Sequence, residues 1–84
     1  MKIQLLTIDI VRLTNAINRA INGSKTENMF IEDQMITFMR KENVYGTFIY
    51  AYIGLNKLSY IDITDGTNSI DMTYLIECVQ KNLN

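Results

Sequence analysis

The chain of 84 residues contains no proline, no tryptophan, no histidine and a single cysteine. Each absence removes a class of function. Without histidine, and with Cys78 alone, neither a Ser–His nor a Cys–His nucleophile–base pair can be assembled. The usual zinc ligand sets are missing for the same reason. One thiol cannot close an internal disulfide, so the fold must be held by packing or by association with another chain. A lone thiol also fits a reducing compartment. No apolar run approaches the roughly 18–20 residues that cross a bilayer. Met1-Lys2-Ile3-Gln4 has neither the long apolar region nor the small-residue cleavage site of a signal peptide. The expectation is a cytoplasmic protein with no membrane contact. Charge of one sign is lacking too: a net charge of −1 argues against a dedicated nucleic-acid binder, which normally carries a basic excess.

What is present is ordinary for a globular domain: 48% hydrophobic and 20% charged residues. With no linker, repeat or low-complexity tract, residues 1–84 read as one domain. A chain of this length buries about 60% of its unfolded surface, enough for one core. Heavy use of isoleucine, asparagine, lysine and tyrosine is what AT-rich codons give, and points to a low-GC bacterium or its phage.

Hydrophobic spacing organises the chain. Lys2 to Leu6 reads as a short opening strand. Leu6, Ile10, Leu13, Ile17 and Ile21 then recur at helical spacing, with Thr7 as N-cap, Asp9 in the first turn and Gly23 just past the end. This predicts a helix from about Ile8 to Asn22. Met29 to Ile31 and Met35 to Arg40 read as two strands joined by a turn at Glu32-Asp33-Gln34. Lys41 to Gly46 reads as a polar break. Thr47 to Ile53 alternates Phe48, Tyr50 and Tyr52 with Ile49, Ala51 and Ile53, so both faces are apolar or aromatic, which suggests a central strand or one face used in association. Gly54 to Lys57 reads as a turn. Ser59 to Thr64 is a strand with one wet face, and Asp65-Gly66 a turn. Asn68 to Met72 is a candidate last strand. A second helix over about Thr73 to Leu83 follows from Leu75, Ile76, Val79 and Leu83, capped by Asp71 or Thr73. The fold class is α+β: a mostly antiparallel sheet of four or five strands with two helices packed on one face.

Candidate working residues fall into three groups. Tyr50, Tyr52 and Tyr60 concentrate mid-chain, where tyrosine suits an interface because its ring buries area while its hydroxyl stays paired. Glu32-Asp33 and Asp62 with Asp65 make acidic turns that can meet a basic partner surface. On the first helix, Arg12, Asn15, Arg19 and Asn22 lie along one line opposite the apolar stripe and can donate to phosphate oxygens. Met29, Met35 and Met39 suit core filling or an adaptable contact surface. Asp65 to Asp71 places oxygen donors at alternate positions but lacks the terminal glutamate of a calcium loop. No catalytic residue, metal site or cofactor is assigned.

Lys2-Ile3-Gln4-Leu5-Leu6 and the helix through Ala16-Ile17 resemble the opening strand and helix of a DNA sliding-clamp domain. Met29-Phe30-Ile31-Glu32-Asp33-Gln34-Met35-Ile36-Thr37-Phe38 is similar to the clamp's first hairpin, and Leu75-Ile76-Glu77-Cys78-Val79-Gln80-Lys81 to its later helix. The resemblance implies a clamp-like unit and a partner in DNA replication or nucleic-acid machinery.

The expectation is therefore a small non-enzymatic interaction protein. Its partner is a protein, and its role is that of a phage or mobile-element inhibitor acting on a host protein. The partner surface is assigned to Tyr50, Tyr52, Tyr60, Glu32, Asp33, Asp62 and Asp65. The competing reading is a clamp-like accessory factor contacting DNA through Arg12, Asn15, Arg19 and Asn22. A homodimer is expected, because a small chain without disulfides or metal gains from burying more surface.

Overall fold

The computed structural model describes residues 3–84. Helix α1 spans Thr7–Ile21, strands β1 to β4 span Thr26–Ile31, Gln34–Asn43, Gly46–Ile53 and Asn56–Asp62, and helix α2 spans Ser69–Asn82. The strands form one antiparallel sheet in the order β1-β2-β3-β4, an α+β fold with four strands.

Helix α1 begins one residue earlier than the spacing predicts, and Leu6 rather than Thr7 is its N-cap. Leucine has no side-chain acceptor, so the cap works in the reverse direction. The Asp9 carboxylate, three residues on, accepts the Leu6 backbone N–H at 3.0 Å, which is half of a capping box. The helix ends as Gly23 suggests. Its φ of +120° lets the Gly23 N–H reach the Ala20 carbonyl and the Ser24 N–H reach that of Arg19, a Schellman arrangement. Arg40 on β2 completes the end by donating to the Ala20 and Ile21 carbonyls at 2.9 and 2.8 Å. A guanidinium there also faces the negative end of the helix dipole.

The hairpins are tighter than the sequence indicates. Glu32-Asp33 alone turns β1 into β2, with Glu32 at φ +55° in the place where a glycine is usual. Lys41 to Asn43 is strand rather than polar break, paired with Gly46 to Phe48. The β3–β4 turn is Gly54-Leu55, so Asn56 and Lys57 belong to β4.

Two predicted strands do not form. Ile3 to Leu6 is irregular, with Lys2 outside the described residues. Its backbone groups are taken by a side chain instead of a strand: Leu5 N–H donates to Gln80 Oε1 at 2.8 Å, and Gln80 Nε2 donates to the Ile3 carbonyl at 2.7 Å. Asn68 to Met72 opens α2. The cap is Asn68, whose Oδ1 accepts the Asp71 N–H at 3.0 Å, so Asp71 and Thr73 lie inside the helix. Asparagine competes well for this position.

Strand pairing sorts every side chain to a face. Ile36, Phe38, Ile49, Ala51 and Ile61 share one face and are buried under the helices. Leu13, Ala16, Ile17 and Ala20 of α1 and Leu75 and Val79 of α2, with Leu83 beyond it, close that core from above. The helices meet the sheet side by side, α1 over β1 and β2, α2 over β3 and β4. No helix is long and apolar enough to cross a membrane among the described residues.

Gly46 fixes the corner where β3 begins. Its φ is +142°, and a Cβ there would run into Thr64 Oγ1. That oxygen is committed: it accepts the Thr47 N–H at 3.0 Å and donates to Asp62. Gly54, at φ +58°, faces open space. Gly46→Ala is therefore expected to cost about 2 kcal/mol or more, against about 1 kcal/mol for Gly54→Ala, which meets backbone strain alone. Urea denaturation measures both. Equal losses would show that the Thr64 contact carries no weight.

Candidate interaction surface

The face of the sheet away from the helices carries Phe30 from β1, Met35, Thr37, Met39 and Lys41 from β2, Phe48, Tyr50 and Tyr52 from β3, and Lys57, Tyr60 and Asp62 from β4. No element among the described residues covers it. Seven of these side chains are large and apolar or aromatic. Phe30 and Tyr60 are more than half exposed, and the remaining five are half-buried against one another. The seven lie next to one another across the four strands rather than scattered singly.

Its centre is an aromatic cluster. Tyr50 and Tyr60 are directly opposed across β3 and β4, with ring centroids 5.3 Å apart and tilted by 31°. Phe48 meets Tyr60 edge to face at 5.9 Å. Such pairs add about 0.5–1.5 kcal/mol beyond area burial. Two ammonium groups stand over the Tyr50 ring, Lys41 Nζ at 5.0 Å and Lys57 Nζ at 5.3 Å from its centroid, within cation–π range. Beneath Met39 and Tyr52 the sheet is tied by Thr37, whose hydroxyl donates to Asn28 Oδ1 at 2.7 Å.

The three predicted tyrosines thus share one face, and two of them touch. Tyr52 lies in the next row of the same face. The sequence did not single out Phe48, Lys41 or Lys57, although the alternation of β3 places Phe48 with Tyr50. The lysines needed the register: Lys41 pairs with Phe48 and Lys57 with Tyr52, and both reach back to the ring between.

The acidic turns do not converge. Glu32-Asp33 sits at the β1–β2 end of the sheet, next to the β3–β4 turn. Asp62 and Asp65 sit at the opposite end. The Asp62 carboxylate is also turned inward on its own loop, accepting the Thr64 hydroxyl and the Thr64 N–H. These hydrogen bonds hold it below its ordinary value of 3.8. Among the described residues no three His, Cys, Asp or Glu side chains gather as metal ligands would.

The arginine line of α1 is engaged within the chain. Arg12 Nη2 donates to the Phe30 carbonyl at 3.2 Å and Arg12 lies 3.8 Å from Asp9. Arg19 meets Glu27 on β1 at 2.5 Å. Asn22 is the C-cap, and Asn15 is exposed. Through the Phe30 carbonyl and the Glu27 carboxylate these arginines tie α1 to β1.

A second apolar region lies between the helices. The stripe of α1 runs continuously through Leu6, Ile10, Leu13 and Ile17, but only Leu13 and Ile17 are buried; Leu6 is 64% and Ile10 42% exposed. Leu5, Ile10, Thr73, Ile76, Glu77 and Gln80, with Gln4, line a groove of about 290 Å³ there. The turn tips Val44, Tyr45 and Leu55 project almost fully into solvent.

Comparison with family models, with curated proteins and with solved structures finds no match to this chain.

The Glu27 contacts give a pH test. Hydrogen bonds from Ser24 and then Arg19 hold the Glu27 carboxyl below its ordinary value of 4.5. A depressed folded-state pKa adds stability that is present above the unfolded value and lost as pH falls through the folded one. Glu27→Gln is expected to lower the melting temperature at neutral pH, with the gap to wild type closing as pH drops below about 4.5. A gap independent of pH would show that the carboxylate contributes nothing to holding α1.

Proposed function

We propose that this chain is an interaction protein that does no chemistry of its own and works by holding a partner protein against the open face of its sheet. The observation that carries the reading is the contiguous surface of Phe30, Met35, Met39, Phe48, Tyr50, Tyr52 and Tyr60, left without cover by either helix. Large apolar side chains cost free energy in water, on the order of 25 cal/mol per Å². Rigid aromatic rings lose little entropy when a partner packs on them, which is why tyrosine is frequent among energetically dominant interface residues. Methionine at the margin adapts to an uneven surface.

The narrower form of this proposal is a phage or mobile-element inhibitor of a host protein in the replication machinery. It rests on composition and the clamp-like pattern of the sequence. DNA contact through α1 has less in its favour, because Arg12 and Arg19 already serve Phe30, Asp9 and Glu27.

Affinity capture from nuclease-treated cell lysate tests the reading. Wild type is expected to retain a specific protein, and Tyr50→Ala with Tyr60→Ala to lose it by more than tenfold while keeping a native circular-dichroism spectrum, since Tyr60 is half exposed and neither ring belongs to the core under the helices. The double change Arg12→Ala with Arg19→Ala is expected to leave capture intact. Capture that depends on the arginines and not on the tyrosines would place the working surface on α1.

A further inference from the structure

The open face is selective in charge, and this points to the chemistry of what it holds. The three arginines of the chain each have a carboxylate: Asp9 for Arg12, Glu27 for Arg19 and Glu42 for Arg40. Lys41 and Lys57 have none among the described residues. They approach the chain from different strands, β2 and β4, yet both place their ammonium groups over one ring, Tyr50, at 5.0 and 5.3 Å. Two like charges this close repel each other, and the ring face offsets only part of that cost. The one acid on the same face, Asp62, keeps its negative charge, but its Oδ1 is turned to the Thr64 N–H and hydroxyl and it forms no ion pair with either lysine. The remainder of the face, Phe30, Met35, Thr37, Met39 and Tyr52, is uncharged. A chain with a net charge of −1 thus keeps a focused positive spot in the middle of its apolar surface.

Resting on the proposed function, we infer that the partner presents an acidic segment there, two carboxylates beside an aromatic or aliphatic side chain that packs on Tyr50, Tyr60 and Phe48. The polarity is the reverse of what the acidic turns suggested: the protein supplies the cations and its partner the anions. The spacing follows from geometry. Both ammonium groups stand within 5.3 Å of one ring centre, so they are at most about 10 Å apart. Carboxylates two residues apart on an extended segment, or three to four apart on a helix, fit that span. Nucleic acid fits less well. Two cations neutralise two phosphates at most and give a shallow salt dependence, and the methionine side of the face offers a phosphate chain nothing. A second copy fits less well too, since face-to-face packing sets four lysine ammoniums together with only the two engaged Asp62 carboxylates to answer them.

Selection of a displayed library of random dodecapeptides on the immobilised chain tests this. Enriched peptides are expected to carry paired Asp or Glu beside an aromatic or aliphatic residue. Synthetic versions are expected to bind wild type about tenfold more tightly than the Lys41→Ala, Lys57→Ala double variant, and to lose affinity as salt is raised. Both lysines are exposed, so that variant keeps the fold, checked by circular dichroism. Neutral or basic enriched peptides, or equal affinity for the lysine variant, overturn the inference. If their binding still vanishes in Tyr50→Ala with Tyr60→Ala, the open face remains the working surface; if it does not, that reading falls as well. A labelled oligothymidylate that binds more tightly than any selected peptide and is released by the lysine change, or self-association in sedimentation that Tyr50→Ala abolishes, names a different occupant and overturns the inference.

Discussion

A pleated strand sends alternate side chains to opposite faces, and β3 carries large side chains at both parities. Ile49 and Ala51 go to the helices and are fully buried. Phe48, Tyr50 and Tyr52 then have to go to the other side. Because β3 is central, pairing with both β2 and β4, its register sets what stands beside those rings: Met39 and Tyr60 across from Tyr50, Lys41 and Asp62 across from Phe48. A slip of one residue would exchange the two faces, so the same pairing that builds the core also assembles the open surface.

The rest of the chain holds this sheet one-sided. Helix α1 is fixed at both ends by polar contacts to the sheet, Arg12 to the Phe30 carbonyl near its start and Arg40 to the Ala20 and Ile21 carbonyls at its end. Two glutamines act as substitutes for backbone. Gln80 binds the segment before α1, and Gln34 exchanges two hydrogen bonds with Asn84 after α2. Both termini of the described chain are thereby tied to the helix layer or the sheet end, and neither folds over the tyrosines. The covered face gets stability and the uncovered face stays available to another molecule.

The open face also explains why polar contacts are distributed as they are. Every arginine is drawn into holding elements together, a use that suits a planar group with several donors. The two lysines on the sheet, compact charges on flexible stems, are left exposed over the Tyr50 ring.

The helices, the meander and the core are legible along the chain. Helical spacing of Leu13 and Ile17, the alternation of Thr47 to Ile53 and the glycine after α1 are local signals, and local physics honours them. The sequence also placed Tyr50 and Tyr52 on one face, because a period of two is a property of any strand. It misjudged Ile3 to Leu6 and Asn68 to Met72, where short apolar runs resemble strands but the backbone found other partners, the Gln80 side chain in one case and the Asn68 cap in the other. Which residues from different strands meet is set by the folded packing. Tyr60 reaches Tyr50, Lys41 and Lys57 converge on one ring, the acidic turns part to opposite ends of the sheet, and Arg12 and Arg19 turn to Phe30 and Glu27. Those outcomes depend on strand register and on where α1 lies against β1. Both are set by long-range packing, which no spacing within a single segment can encode.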